Sequence, residues 1–325
     1  LPATGPRLGL ALALAPALLA VPWVPRARAS LLGTGLLLAA ALGWPALAPS
    51  DQLGGATQLA LLPGRNATVS VEETVEADGA RVRSLRVNGK VEATTAPVDM
   101  RLQRLLGAIP GVLHGEVRSA LVIGLGTGMT AGSLLDLPTL ERLDVYEIEA
   151  GIPRAARLFS QWNRGLLDDP RVRVTLADGR LELKRTSRRF DLITADPLHP
   201  ATRGSSDLFS LEHFRSMAAH LAPGGVASQW LPLYELSTLD VRTVLSTWTR
   251  AFLHTSAWLT AYDLALVGSN DPLPPDRLPG RLPDAVADSL GEVGVHTAAG
   301  LQALLVGRDA DLRALAAGVQ PMTLD

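Results

Sequence analysis

The chain of 325 residues contains no cysteine, which excludes disulfides, thiolate catalysis and cysteine-based metal sites. It also lacks an excess of positive charge: 30 Lys and Arg residues stand against 32 Asp and Glu residues, and the net charge is −2. A general nucleic-acid-binding protein would show a basic excess. The six histidines have no metal-ligand spacing, and the sequence has no G-x-S-x-G nucleophile turn. We therefore expect no metal and no nucleic-acid partner.

Charged residues are also absent from two apolar stretches near the N-terminus, residues 8–25 and 29–50. At about 1.5 Å per residue the shorter stretch covers roughly 27 Å, enough to span a bilayer core. A signal peptide cleaved before Ser30 is an alternative, but the second apolar run follows it directly. A pair of buried helices is another, but neither run has a polar face. We predict two transmembrane helices within residues 1–50 and, because the chain begins with Leu1, a longer parent protein.

Residues 51–115 are predicted to form a linker and a small N-terminal β-domain. Apolar and polar residues alternate over 67–77 and again over 82–87, and Asp78-Gly79 between them is typical of a hairpin turn. Helical spacing of apolar residues follows over 100–109.

Residues 116–270 alternate between strand and helix patterns, which predicts an α/β domain with a mainly parallel sheet. The domain begins with SALVIGLGTGMTAG at 119–132, the pattern of a strand, a tight glycine turn and a helix. Residues 271–325 are predicted to form a C-terminal helical tail.

Ligands of such sheets bind at the carboxyl ends of the strands. Here those ends supply a glycine turn and three acids, namely Gly124, Gly126, Gly128, Glu147, Asp178 and Asp196. Glu147 lies 19 residues beyond Gly128, where an acid accepts hydrogen bonds from ribose hydroxyls, and Asp178-Gly179 suits an adenine edge. We infer a nucleoside site. Residues 126–131 also match the dinucleotide pattern G-x-G-x-x-A, but the strand already ends at Gly124, so G-x-G-x-G fits the turn better.

Five segments, in this order and spacing, resemble the polyamine aminopropyltransferases (spermidine synthases), and especially a bacterial branch fused to a membrane domain. They are ALVIGLGTG, DVYEIEAGIPRAARLF, DDPRVRVTLADGR, RRFDLITADP and LAPGGVASQWLPLY. The resemblance covers about residues 64–325. It implies a Rossmann-like, methyltransferase-type sheet preceded by a small antiparallel β-domain, and a homodimer is possible in this family.

The resemblance implies decarboxylated S-adenosylmethionine as donor and a di- or polyamine as acceptor. Asp196 matches the catalytic aspartate that removes a proton from the attacking amine. The matched donor-binding positions are Gln103, Gly124, Gly126, Gly128, Glu147, Asp178 and Gly179. His199 and Gln229 match positions near the acceptor.

The membrane-fused branch implies a multi-pass protein of the bacterial inner membrane. Arg26 and Arg28 would place the loop between the two apolar stretches in the cytoplasm and the rest of the chain outside. A cytosolic donor instead favours a catalytic domain on the cytoplasmic side.

Two positions depart from the family pattern. His199 replaces a second acid that helps hold the cationic acceptor, and Leu102 replaces a tyrosine. An imidazole binds a diammonium less well than a carboxylate does, so the acceptor differs or transfer is weakened or lost. Two alternatives follow. One is an S-adenosylmethionine-dependent methyltransferase, since D-P-L-H at 196–199 is similar to the D-P-P-aromatic signature of amino-methyltransferases. The other is a non-catalytic nucleoside-sensing domain of a membrane transporter.

Overall fold

The computed structural model describes residues 55–202, 204–272 and 278–324. The chain divides into two units, Leu1–Ala56 and Thr57–Asp325, and the account below concerns the second. The two predicted transmembrane helices, within residues 1–50, lie outside the described residues.

The predicted location in the bacterial inner membrane is wrong on the described part of the chain, where no helix is long and apolar enough to cross a membrane. The longest helix there is α1 (Pro97–His114), with 18 residues. Asp99, Arg101 and Arg104 interrupt its apolar surface, and charged side chains are costly in the hydrocarbon core.

A small antiparallel sheet comes first, in the strand order β1-β2-β3-β4. Its strands are β1 (Thr57–Pro63), β2 (Thr68–Val75), β3 (Arg81–Val87) and β4 (Lys90–Thr94). The predicted hairpin turn at Asp78-Gly79 joins β2 to β3. A second turn, at Asn88 (φ 52°) and Gly89 (φ 84°), joins β3 to β4. Strand β1 lies in a stretch for which the sequence analysis expected a linker.

The main sheet has eight strands in the order β12-β10-β11-β9-β8-β5-β6-β7. Its parallel part consists of β5 (Ser119–Ile123), β6 (Arg142–Glu147), β7 (Val172–Leu176), β8 (Phe190–Ala195) and β9 (Leu221–Pro232). Its antiparallel part consists of β10 (His254–Leu259), β11 (Asp263–Ser269) and β12 (Leu305–Arg308). The predicted mainly parallel α/β sheet is therefore present.

Helices cover both faces of this sheet. After α1 they are α2 (Met129–Leu134), α3 (Ile152–Ala156), α4 (Gly179–Arg185), α5 (Leu211–Ala219), α6 (Thr238–Ala251), α7 (Asp284–Gly291), α8 (Ala298–Gln302) and α9 (Asp309–Leu315). Apolar side chains of α1, α2, α3 and α7 pack on one face, and those of α4, α5, α6 and α9 on the other. The strands that deliver site residues are thus fixed from both sides.

The C-terminal segment is more than helical, because β12 pairs with β10 at the sheet edge. It is also fastened to α1 by Arg104, whose buried guanidinium donates to the Ser289 carbonyl oxygen (3.0 Å) and to Glu292 (2.6 Å). The domain boundaries at 51–115, 116–270 and 271–325 remain predictions.

Candidate active site at the carboxyl edge of the sheet

The glycine turn begins where β5 ends. Gly124 has φ +90°, and a Cβ there would lie 2.9 Å from the Asp196 carbonyl oxygen. The turn and the residue after β8 therefore touch through their backbones, an approach that only glycine permits. Gly126 also has positive φ (+52°), but a Cβ there would meet nothing within 4 Å. The turn is consequently open on this side, where a ligand can approach the backbone.

Gly128 (φ +83°) precedes α2 and packs against Asn163. The buried Asn163 amide donates to the carbonyl oxygens of Thr127 and Ala156, each at 2.9 Å. This residue fixes the turn from below. Sequence reasoning missed it, since a single asparagine near the end of a helical pattern carries no signal.

Glu147, the last residue of β6, supports the same turn. One carboxylate oxygen accepts from the Leu125 N–H (2.9 Å) and the other from the Glu149 N–H (2.8 Å). Burial raises the pKa of this carboxyl despite these hydrogen bonds, which act in the opposite direction. Both oxygens are therefore engaged by backbone N–H groups of the turn, and the ribose contact of Glu147 stays a prediction.

Asp178 and Gly179 lie where β7 ends and α4 begins. One Asp178 oxygen, Oδ1, caps the helix by accepting from the N–H groups of Arg180 (3.0 Å) and Leu181 (3.2 Å). A Cβ at Gly179 would lie 2.7 Å from Ile123 Cγ2, so glycine allows α4 to start directly over β5. The second Asp178 oxygen, Oδ2, is the one free for the predicted adenine contact.

Asp196 follows β8, and hydrogen bonds from its backbone and its side chain connect it to the two elements that flank the glycine turn, β5 and α2. Its N–H donates to the Ile123 carbonyl oxygen (3.2 Å), and its Oδ2 accepts from the Thr130 hydroxyl on α2 (2.7 Å). The side chain is partly exposed, but the surrounding protein atoms desolvate it and raise its pKa to about 6. Asp263 and Asp99 raise this pKa further by repulsion.

Two acids that the sequence analysis did not assign to the site lie near Asp196. Asp263 opens β11, is buried, and accepts from the Trp230 indole N–H (2.9 Å). Asp99 lies in the first turn of α1 and accepts from the Thr94 hydroxyl (2.7 Å). We call Asp99, Asp196 and Asp263 the acidic pocket. The antiparallel pairing of β11 with β9, which brings the first residue of β11 to this edge, is the signal that would have revealed Asp263.

The described residues supply no compensating cation to the acidic pocket. Within residues 55–202, 204–272 and 278–324, no Lys or Arg side chain forms an ion pair with any of its three carboxylates. Burial, and then repulsion from Asp99, raises the pKa of Asp263 to about 6. Burial also raises the pKa of Asp99, against the lowering effect of its bond with Thr94. The pocket therefore favours binding of a positively charged ligand.

His199 lies beside the pocket in an aromatic environment. Its ring centroid is 6.4 Å from that of Trp230, nearly perpendicular to it, and 6.1 Å from that of Tyr234. Its Nδ1 accepts from the Ala201 N–H (3.2 Å). Burial, followed by the charges of Asp263 and Asp99, raises the pKa of Tyr234.

The two glutamines of the prediction are placed differently. Gln103 accepts from the Thr127 hydroxyl and donates weakly to the Asp99 carbonyl oxygen (3.3 Å), so it joins the glycine turn to the pocket. Gln229 is buried, and its amide has no hydrogen-bond partner among the described residues. Strand alternation places it with Ala227 and Leu231, on the face opposite Trp230. The structure thus does not bring Gln229 to the pocket.

No group of three or more His, Asp or Glu side chains in the described ranges could hold a metal ion. A parallel sheet with a glycine turn and acids at its carboxyl edge is the architecture of a nucleoside-binding transferase of the Rossmann-like class.

Comparison with known proteins identifies the family. Residues 100–262, just over half of the chain, match the spermine/spermidine synthase domain. The chain belongs to the spermine/spermidine synthase family.

Three curated relatives illustrate the match. The polyamine aminopropyltransferase of Nitrosomonas europaea is 35% identical over 132 residues, which are 39% of this chain and 39% of the relative. That of Sodalis glossinidius is 28% identical over 163 residues, 50% of this chain and 56% of the relative. Putrescine N-methyltransferase 2 of Nicotiana tabacum is 33% identical over 138 residues, 40% of this chain and 36% of the relative. The aligned region therefore spans little more than half of these proteins at most.

Solved structures show the same fold. A spermidine synthase in complex with the transition-state analogue AdoDATO superposes with a TM-score of 0.60 at 19% identity, covering 72% of this chain and 88% of that one. The spermidine synthase of Thermotoga maritima gives 0.59 at 18% identity, covering 72% and 87%. The membrane location gains no support from these relatives, and the membrane-fused branch is not shown by them.

Proposed function

We propose that the protein transfers an aminopropyl group from decarboxylated S-adenosylmethionine to a di- or polyamine. The observation that carries this proposal is the acidic pocket: Asp99 and Asp263 lie close enough to Asp196 to raise its pKa, and no Lys or Arg of the described residues forms an ion pair with any of the three. Both reactants are cationic, one through its sulfonium and amine and the other through its ammonium groups. Binding them offsets the cost of holding these carboxylates together.

The donor's nucleoside would lie along the strand ends. Gly126 leaves open space at the turn, and Oδ2 of Asp178 can accept a hydrogen bond from an amino group. Gln103 joins this part to the acidic pocket through its contacts with Thr127 and Asp99. The residues present therefore fit a nucleoside whose charged chain reaches Asp196.

Asp196 would act as the general base. An ammonium group has no lone pair, so the acceptor must lose a proton before or during attack on the carbon next to the sulfonium. A new C–N bond forms there, the C–S bond breaks, and methylthioadenosine leaves as a neutral thioether. With a pKa of about 6, Asp196 is ionised at pH 7 yet basic enough to take the proton. The Thr130 hydroxyl fixes one of its oxygens, which leaves the other free.

The test is a transfer assay on the full chain with the decarboxylated donor and putrescine, comparing wild type, Asp196→Asn and Asp284→Asn. Loss of the base is expected to reduce turnover by at least about a hundredfold, while calorimetry shows unchanged methylthioadenosine binding. Asp284 is an exposed aspartate far along the chain that forms an ion pair with Arg281 (2.6 Å), and it serves as the matched control. Unchanged turnover in Asp196→Asn would contradict the role of Asp196, and donor binding without any product would indicate a sensing domain.

Methyl transfer to a diamine is a second candidate, because the chain also matches a putrescine N-methyltransferase. That reaction uses S-adenosylmethionine, whose additional carboxylate would lie near an acidic pocket and be repelled by it. The decarboxylated donor is therefore favoured. A direct comparison of the two donors, by binding and by product mass, distinguishes the two reactions.

A further inference from the structure

A diamine acceptor has two ammonium groups, and a single carboxylate can bind only one of them. Asp196 would take a proton from the attacking nitrogen, while the distant nitrogen stays protonated during the reaction. A buried ammonium without a partner is costly, so a second acceptor group must face it. The resemblance to aminopropyltransferases predicts an acid at position 199, where this chain has His199.

His199 cannot take that role in the observed geometry. Its Nδ1 already accepts from the Ala201 N–H, and its Nε2 lies 3.4 Å from the Tyr234 carbonyl oxygen, which is itself an acceptor. The ring therefore carries its proton on Nε2 and has no free lone pair for an ammonium. Its edge packs against Trp230 instead.

Asp263 contacts the same tryptophan, whose indole N–H donates to it. It pairs in register with Pro232, the last residue of β9, and β9 is the strand between β11 and β8. Asp196, which directly follows β8, thus lies near the same end of the sheet, two strand spacings (about 10 Å) across from Asp263 and about two residues away along β9. Alternation along the strands places Trp230, Asp196 and Asp263 on the same face, the one covered by α1.

The Asp263 carboxylate is prepared for a cation from outside. Only 8% of the residue is exposed, its Oδ1 accepts from the Trp230 indole N–H, and no Lys or Arg in the described ranges pairs with it. Burial and Asp99 raise its pKa, which shows that the folded chain leaves this charge poorly compensated. Trp230, Tyr234 and His199 supply apolar and aromatic surface for a short methylene chain between two charged ends.

We propose that Asp263 binds the distal ammonium of a diamine acceptor and so replaces the acid that is absent at position 199. The inference rests on the proposed function, because it assigns the acceptor end of the same site. Trp230 then acts as a positioning residue, since its indole N–H orients the Asp263 carboxylate.

The experiment compares 1,4-diaminobutane with 1-aminobutane, which lacks the distal ammonium. Calorimetric affinities are measured on the full chain with methylthioadenosine present, and kcat/KM is measured with the decarboxylated donor. Asp263→Asn retains an oxygen for the Trp230 N–H but loses the charge. We expect it to weaken the diamine by roughly 10- to 100-fold, the range of a hydrogen bond to a charged group, and to weaken the monoamine at least severalfold less, because the monoamine loses only the longer-range attraction of the Asp263 charge. Asp284→Asn is the control and should change neither amine.

A second variant tests directly whether a carboxylate at position 199 can replace the one at position 263. The double variant Asp263→Asn with His199→Asp moves the carboxylate to the position that the resemblance predicts, and it should recover part of the diamine preference. A thermal unfolding scan of each variant verifies that it is folded.

The outcomes separate this inference from the proposed function. An equal loss for both amines in Asp263→Asn would show a structural role, and an unchanged diamine affinity would show no role; either result, in a wild type that transfers aminopropyl groups, overturns the inference alone. A wild type that binds neither amine and forms no product overturns both. Selective loss of the diamine supports the inference, whichever group the enzyme transfers.

Discussion

The acidic pocket predicts that a single isosteric substitution will stabilise the protein. Asp263 is buried without a cation, and its pKa rises from 3.8 to about 6. At 1.36 kcal/mol per pKa unit, holding this group ionised costs the folded state at most about 3 kcal/mol. Asp263→Asn removes the charge and keeps an acceptor for the Trp230 N–H. Since the amide must also be desolvated, we expect a gain of about 1–2 kcal/mol in the free energy of unfolding at pH 8.

The pH dependence of this gain follows from the direction of the pKa change. A carboxyl whose pKa is higher in the folded than in the unfolded state lowers stability as the pH rises from about 4 to about 6, because the unfolded chain releases its proton first. Only well below its ordinary pKa of 3.8 is the Asp263 carboxyl neutral in both states, so most of the penalty is already absent near pH 4. The stability difference between variant and wild type should therefore be largest at pH 7–8 and small near pH 4.

Urea denaturation of the full chain at pH 4, 6 and 8 measures this difference, with Asp284→Asn as the control that should change nothing. In a domain of this size 1 kcal/mol corresponds to about 2–4 °C in Tm, so a thermal scan at pH 8 should also resolve it. A destabilised Asp263→Asn, or a gain that is the same at every pH, would refute the reasoning that an uncompensated charge is held in the pocket.

Three further predictions concern groups that support the site or lie away from it. Asn163→Ala should cost about 1–3 kcal/mol of stability and weaken methylthioadenosine binding, since it removes two buried hydrogen bonds under the glycine turn. Glu147→Gln should lower both stability and donor binding in denaturation and calorimetry, because an amide cannot accept from two N–H groups with two oxygens; loss of donor binding alone would show that the turn does not need this acid. His213 is fully buried with no hydrogen-bond partner for either ring nitrogen among the described residues, and burial lowers its pKa to about 3. Because the unfolded chain binds this proton first, stability should fall as the pH drops below about 6.5, and His213→Leu should reduce that slope in a pH series of Tm values.

Local patterns were sufficient for the main architecture. The glycine turn after β5 and the hairpin turn after β2 were predicted where they occur, because positive φ and tight turns restrict the residues that fit. The strand that ends at Glu147 and the strand before Asp196 were also predicted, because apolar and β-branched residues predominate in each and turn-forming residues flank them. The edge strands β1 and β12 were missed. Their composition does not indicate a strand, and they form only because a partner strand pairs with each of them.

The site required information that no local pattern carries. Asp99 and Asp263 are separated from Asp196 by 97 and 67 residues along the chain (196 − 99 and 263 − 196). They meet it only through the docking of α1 on the sheet and the antiparallel entry of β11. Glu147 was expected to face a ribose, yet both of its oxygens already serve the backbone, a hydrogen-bonding demand that becomes visible only when the turn is folded.

The replacement of an acid by His199 leads to a different expectation for diamine binding once the neighbouring strand is considered. From the sequence, it lowers the number of acids in the loop after β8 and predicts a weaker diamine site. In the fold, the ring saturates its hydrogen bonds within the loop and packs on Trp230, and Trp230 in turn holds a carboxylate from β11. In the proposed acceptor site the number of acids is thus retained, but one is delivered by a different strand. A site of this kind depends on charge at a position in space, so a count of acids within a single motif underestimates its capacity for a dication.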